Sequence, residues 1–407
     1  MNSKKLWLWL SLHFGAGQEI YRKLYEYFGD IESIYDCDDA DVNMIDWLKP
    51  YQKSKILDKN LNFAEEVLDW CEYNNVKITT PTERDYPPSL LELKDYPAVL
   101  YYLGNMPDFN KKLCVSVVGT RKCTNEGQRN AYFLGFGLAM GGAIVVSGMA
   151  LGIDCTAQKG ALYAGGSAIA VLGSGIDVVY PRENKQLMDK IATVGTVITE
   201  YPPHTPPNGY NFPVRNRIIS ALSPATVVVE GDVNSGALIT ANKALAQGKQ
   251  LFAYPGSVNN FQSSGNNQLL KNGAGLVTEA IDVLEQFMDV YPNLDLSASK
   301  TKPILPKTNR HAEFFAGNAD APSEPKSDKS CKEKSNIENE KNLPSFDSTV
   351  LSGKEKIVYD AMKSGTALSA EELIIPGVDF AEISSVLTML EVRGAVVSVP
   401  GGYYVKK

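Results

Sequence analysis

The residues with the most evident chemistry lie in the string Tyr210-Asn211-Phe212-Pro213-Val214-Arg215-Asn216-Arg217-Ile218-Ile219-Ser220. An aromatic ring followed closely by two guanidinium groups that flank an amide suits a ligand carrying both flat bases and phosphates. A base stacks on Phe212, while Arg215 and Arg217, with Asn216 between them, pair with phosphate oxygens. The competing reading buries Phe212 in the core and uses the arginines only to cap a helix. Ile218 and Ile219 already give that helix a buried face, which leaves Arg215 and Arg217 for the ligand edge.

Three further strings mix glycine with small hydroxyl residues just ahead of a helical pattern. They are Val118-Gly119-Thr120-Arg121 with Asn125-Glu126-Gly127, then Ser147-Gly148-Met149-Ala150-Leu151-Gly152-Ile153-Asp154, then Leu172-Gly173-Ser174-Gly175-Ile176-Asp177. In such loops main-chain N–H groups and Ser/Thr hydroxyls approach phosphate oxygens closely. A dinucleotide-binding turn needs G-x-G-x-x-G after its first strand, and here only Gly119 stands there. There is no Walker A loop, no Cys–His pairing and no G-x-S-x-G elbow; Ser147 lacks any sign of a base. Glu230 ends a later strand, either as a catalytic acid or as an acceptor that orients loop N–H groups. Six scattered cysteines without a C-x-x-C pair, and only His13, His204 and His311, argue against a metal centre. Neither a metal nor a cofactor is expected.

Short β-branched runs at 115–118, 144–146, 168–172, 197–199, 226–229, 251–253 and 275–277 must position these loops. Most are separated by helical patterns, and their continuous apolar character is that of strands covered on both faces. The fold class is therefore α/β, with a Rossmann-like, mostly parallel sheet whose ligands collect at the strand carboxyl ends. Residues 1–80 have apolar positions at helical spacing and form a helical domain. Phe14-Gly15-Ala16-Gly17 within it is either a helix-hairpin-helix turn facing a phosphate or a tight packing turn. A proline-punctuated connector near 80–110 leads into the sheet domain, 81–294. Residues 295–350, with nine basic and nine acidic residues, have the composition of a flexible linker. Residues 351–407 regain structure: a helix from 354, a second capped by Ser369, a third capped by Asp379, and a hairpin from Gly394 make a winged helix.

The 407 residues carry a net charge of −7, which does not advertise a nucleic-acid binder. The distribution removes that objection, since 111–289 holds 14 Lys and Arg against 12 Asp and Glu. The apolar run at 6–12 is too short for a bilayer and lacks a small-residue cleavage site, so no membrane association is expected and the location is cytoplasmic.

Taken together, VVGTR, SGMALGIDCTAQKGAL, AVLGSGIDVVYPREN, FPVRNRIISALS, VVVEGDVNSGALITANKALAQGKQLFAYPGS and SGNNQLLKNGA resemble the DNA-processing protein A (DprA/Smf) family over about 170 consecutive residues. The N-terminal region looks like that family's sterile-alpha-motif (SAM)-like domain and the C-terminal module like its winged helix. The resemblance implies a dimeric, non-enzymatic protein that binds single-stranded DNA during natural transformation, protects it and loads the RecA recombinase. It places the phosphate pocket on Arg121, Ser147, Gly148, Gly173, Ser174 and Gly175, the strand along Phe212, Arg215, Asn216 and Arg217, and adds Asn184 and Lys243. The winged-helix segment departs from a duplex reader: it has six basic residues against seven acidic, with Glu382 and Glu391 on its third helix. The rival is a lysine-decarboxylase-like nucleotide phosphoribohydrolase of similar layout. Its P-G-G-x-G-T-x-x-E string is missing, the nearest text being Pro255-Gly256-Ser257.

Overall fold

The computed structural model describes residues 3–303 and, toward the C-terminus, 353–362 together with parts of 368–406. Seven strands of its nine-stranded sheet are those the β-branched runs predict. They are β3 (Cys114–Val118), β4 (Ile144–Ser147), β5 (Ala168–Val171), β6 (Thr196–Thr199), β7 (Ala225–Val228), β8 (Gln250–Ala253) and β9 (Gly275–Leu276). All seven are parallel, in the order β6-β5-β4-β3-β7-β8-β9. β3 to β7 are buried along their whole length, which is why Val, Ile and Ala dominate them and only short hydroxyl residues such as Ser116 and Thr226 interrupt the runs. Neighbouring residues still divide between the two faces. Val115 and Val117 share a core with Leu134 of α7 (Asn125–Met140) and Ala157 of α8 (Ile153–Tyr163), whereas Cys114 and Val118 belong to the core on the other face. The remaining helices of this part are α9 (Lys185–Val194), α10 (Asn211–Ala221), α11 (Gly236–Ala246), α12 (Ser264–Lys271), α13 (Ile281–Leu284) and α14 (Leu296–Ser299).

Two antiparallel strands extend the sheet beyond the sequence expectation, β1 (Lys77–Thr79) and β2 (Leu100–Gly104), with Tyr102 opposite Ile198 of β6. They change the domain boundary. Helices α1 (Ser3–Phe14), α2 (Ile20–Phe28), α3 (Ile31–Asp36), α4 (Asp39–Asn43), α5 (Pro50–Leu57) and α6 (Asn62–Tyr73) do not form a separate body ending at 80. Leu6, Trp7, Leu10, Leu24 and Ile56 are buried in one core with Leu100, Tyr101, Ile198 and Ile218, and the described residues up to 303 belong to one compact unit. The turn at Gly15 and Gly17 takes left-handed φ values of 79° and 70°. The Gly17 N–H donates to Glu200 Oε1 at 3.1 Å, and a Cβ there would lie 2.6 Å from Val214 Cγ1 of α10. This is the packing turn, not a phosphate-facing one.

The expected linker also starts too early at 295. Asp295 N donates to Gly141 O at 3.1 Å, Leu294 and Leu296 pack into the core beneath α7, and α14 lies where a side chain on Gly137 or Gly141 would meet Ser299. Residues 304–350 of that segment lie outside the described residues. Within the C-terminal unit, α15 (Gly353–Ala361) precedes a three-stranded antiparallel sheet of β10 (Leu368–Ser369), β12 (Tyr403–Lys406) and β11 (Val396–Val399). The hairpin is present, with Ser398 opposite Tyr404. Ser369, expected to cap a helix, instead pairs with Tyr403 in β10. Val358, Leu373, Leu387 and Val396 share a small core; most of the second and third expected helices lies outside the described residues.

Candidate nucleic-acid interface

Strand order reverses at β3, with β4 on one side and β7 on the other, so the carboxyl ends of β3, β4 and β7 open into the crevice where such sheets hold ligands. The loop after β3 is fixed there by Glu230, which is buried at the end of β7. Its carboxylate accepts from Thr124 N and Thr124 Oγ1, each at 3.0 Å, and Thr124 Oγ1 in turn accepts from Gly127 N to cap α7. Burial pushes the Glu230 carboxyl pKa up, against the hydrogen bonds from Thr124. Of its two sequence roles, orienting the loop is the one this geometry supplies. The loop leaves Arg121 and Lys122 exposed at the rim.

Beside them sits an aromatic pair. The ring of Phe212, at the start of α10, is half-buried and its centroid is 5.5 Å from that of Tyr180, which is 41% exposed. The guanidinium carbons of Arg121 and Arg215 lie 5.2 and 5.9 Å from the Phe212 centroid, within cation–π range. Phe212 covers Gly173, where a Cβ would stand 2.8 Å from its ring. Phe212 is thus neither core nor a free platform: its inner face is seated and its neighbour Tyr180 faces solvent. A cleft of about 40 Å³ remains between Arg121, Gly148, Leu151, Tyr180, Phe212 and Arg215.

Arg215 runs inward from there. It is buried and its Nη1 donates to Gly148 O at 2.9 Å and to Val171 O, while a side chain on Gly148 would collide with the guanidinium. The Gly148 N–H donates to the buried carboxylate of Asp154 at 3.1 Å. Both sides of this glycine are therefore held, and the Arg215 Nε is a buried donor without a partner among the described residues. Burial draws the Arg215 pKa down to about 10, with Asp154 working the other way, so it stays cationic at neutral pH.

Arg217 differs from the expectation. Successive helical residues turn by about 100°, so positions two apart point to nearly opposite sides. Arg217 is 3% exposed, with Nη2 at 2.9 Å from Glu200 Oε1 and Nε at 2.9 Å from Asp95 Oδ2. Burial works against its charge, but Glu200 and Asp95 outweigh it and raise its pKa. It holds α10 to the N-terminal side of the fold and does not face the ligand edge.

Residues 77–288 match the model of the family described as DNA recombination-mediator protein A. The chain belongs to this family. The matched region begins at the first residue of β1 and includes the Arg121–Phe212 cleft. The DNA processing protein DprA of Streptococcus pneumoniae is 43% identical over 202 residues, covering 50% of this chain and 71% of that protein. Protein Smf of Synechocystis is 34% identical over 304 residues, 74% of this chain and 76% of its own. The crystal structure of DNA processing protein A from Streptococcus pneumoniae superposes with a TM-score of 0.61 at 32% identity, covering 70% of this chain and 98% of that one.

The residues singled out from sequence divide into a surface and a scaffold. Arg121, Phe212 and the half-exposed Asn216, one helical turn beyond Phe212, reach the rim. Several hydroxyls and N–H groups expected to meet phosphate are already used. Ser147 Oγ donates to Val117 O at 2.6 Å, Ser174 Oγ to Val178 O at 2.9 Å, Gly175 N to Thr205 O at 2.8 Å and Asn184 Nδ2 to Met149 O at 2.8 Å. They are spent on closing the loops behind the cleft, because buried polar groups must be paired. Lys243 lies in the last turn of α11, at the end away from the strand-end loops. Tyr180, which lines the cleft, and Asp154, which holds Gly148 from behind, did not stand out in the sequence; Tyr180 is 32 positions from Phe212 and only the β5–β6 crossing brings them together. Among the described residues no helix is long and apolar enough to cross a membrane.

Asp154 has a measurable signature. Burial raises its pKa, opposed by the charge of Arg215. The folded state therefore binds this proton more tightly than the unfolded chain does. Its contribution to stability is complete below the unfolded value of about 4 and is lost as pH rises through the raised one. Asp154→Asn, which keeps an acceptor for the Gly148 N–H, is expected to flatten that loss in the pH dependence of the urea midpoint. A parental slope in the variant would count against ionisation at this buried site.

Proposed function

We propose that this chain binds single-stranded DNA along the carboxyl edge of its sheet and passes it to a RecA-type recombinase without covalent chemistry. The observation that carries this reading is the exposed Arg121 set against the Tyr180–Phe212 pair at the point where strand order reverses. Cation and aromatic faces side by side serve a ligand that alternates phosphate and base. The buried Arg215 lends the cleft a second positive charge. In this reading Ser147, Gly148, Gly173, Ser174, Gly175 and Asn184 shape the pocket from behind. The chain works as a homodimer that shields incoming DNA during natural transformation, and its C-terminal unit, a winged helix, serves protein contact; the family's description as recombination mediators supports the setting.

The test is anisotropy of labelled single-stranded and duplex oligonucleotides across a salt series, followed by recombinase filament formation on the bound strand. Binding should favour the single strand, ignore its sequence and weaken steeply with salt. Equal affinity for duplex, or no salt dependence, would overturn the assignment.

A further inference from the structure

Another loop shares the same sheet edge. The segment after β8 carries Phe261, 66% exposed, at the start of a short 3-10 turn, Phe261–Ser263. Asn260 shapes that turn: its Oδ1 accepts from Gln262 N at 3.1 Å and its Nδ2 donates to Ser263 Oγ at 3.3 Å. The buried Ser263 in turn sits against Gly256, where a Cβ would be 2.2 Å from its Oγ. Hydrogen bonds and the seating of Ser263 hold this turn, so Phe261 projects without burying its own ring. The turn is also tied to the cleft, since Gln262 Nε2 donates to Lys122 O at 2.9 Å.

Arg121 thus lies against the Tyr180–Phe212 pair, and its neighbour Lys122 is bound by the turn that carries Phe261. An aromatic, then cations, then an aromatic is the pattern that a strand of alternating bases and phosphates requires. Along the loop Asn259, Asn260 and Gln262 are exposed or half-exposed beside Phe261, as is the apolar Val258, and Gln262 carries the turn to the exposed Lys122. A protein interface would want a desolvated apolar core at such a position, whereas a polar and cationic surround suits a nucleotide.

We propose that Phe261 is a second base-stacking platform, so that a single strand runs from the Tyr180–Phe212 pair over Arg121 and Lys122 to Phe261. This rests on the single-strand reading above and lengthens its footprint. The full chain and its Phe261→Ala, Phe261→Tyr and Phe212→Ala variants are titrated with oligothymidylates of about 4 and about 16 nucleotides, lengths that bracket the range one such site covers. Phe261→Ala is expected to bind the long oligonucleotide about 5- to 100-fold more weakly, and the short one within about twofold, because the short one is held at the Phe212 end. Phe261→Tyr restores long-strand affinity, and Phe212→Ala weakens both lengths. In Phe261→Trp, indole fluorescence is quenched by the long strand and not by the short.

Parental affinity of Phe261→Ala for the long strand overturns the proposal, as does an equal loss for both lengths. So does a change in self-association or recombinase contact with oligonucleotide binding intact, which would make Phe261 a protein contact. Those results leave the single-strand reading standing. If the parent chain binds neither oligonucleotide, that reading and this extension fall together.

Discussion

Arg121→Glu is expected to bind a single-stranded oligonucleotide about 10- to 100-fold more weakly than the parent, the size of a lost charge-assisted contact with phosphate. Arg121 is exposed on a loop that Glu230 and Thr124 hold in place, and its contact is with the Phe212 ring at the surface, so the fold draws little on its charge. Thermal unfolding should be parental. The loss should shrink as salt rises, because screening weakens the parent's attraction and the variant's repulsion alike, and the log–log salt slope should drop by about one. Titrations from low to moderate salt check both points. A variant that binds like the parent throughout would remove Arg121 from the interface and with it the centre of the proposed strand path.

The opposite pattern is expected at Arg217. Arg217→Met removes the cation between Glu200 and Asp95 and leaves Glu200, itself buried, with an uncompensated charge. Breaking a buried pair from one side costs about 3–5 kcal/mol, a large share of the stability of an ordinary domain. Chemical denaturation should show the loss directly. Glu200→Gln together with Arg217→Met should recover part of it, because the stranded carboxylate is gone. Oligonucleotide affinity, measured where the variant is still folded, should be near parental. Parental stability with lost affinity would restore Arg217 to the ligand edge, where the amino-acid pattern first placed it.

That pair of outcomes marks how far the sequence could be read. The parallel strands were legible because burial on both faces favours short runs rich in Val, Ile and Ala, as in Ile144-Val145-Val146. β1 and β2 were not, since one has three residues and the other follows the proline-marked Asp95-Tyr96-Pro97 string. Both are antiparallel and join the sheet through β6, which follows them by roughly a hundred positions or more. The boundary at 80 failed for a related reason: helical periodicity reports that a face is buried but not against what. Trp7 and Leu10 look the same whether they pack on other helices or on Tyr101.

At the site, residue types were informative and directions were not. Glycine at 148 and 173 was read as room for phosphate, whereas the space is taken by the Arg215 guanidinium and the Phe212 ring. The hydroxyls of Ser147 and Ser174, ligand donors by residue type, donate in the structure to Val117 O and Val178 O. Small polar residues near a strand end serve both purposes, and only the partner distinguishes them. The Arg215–Arg217 distinction was within reach, because a two-residue offset on a helix separates side chains by about 200°.

The Gly17 turn has a consequence for genetics. It touches Val214 and Glu200, and through them the helix that presents Phe212 and the carboxylate that anchors Arg217. A screen for alleles defective in DNA handling would then return positions in the first two helices that no strand ever reaches. Such alleles would map outside the region that defines the family, 77–288, and invite assignment to a separate accessory module. Their defect would be one of alignment, transmitted by a single shared core, and a fragment trimmed to the family region would lose the wall that keeps its working edge in register.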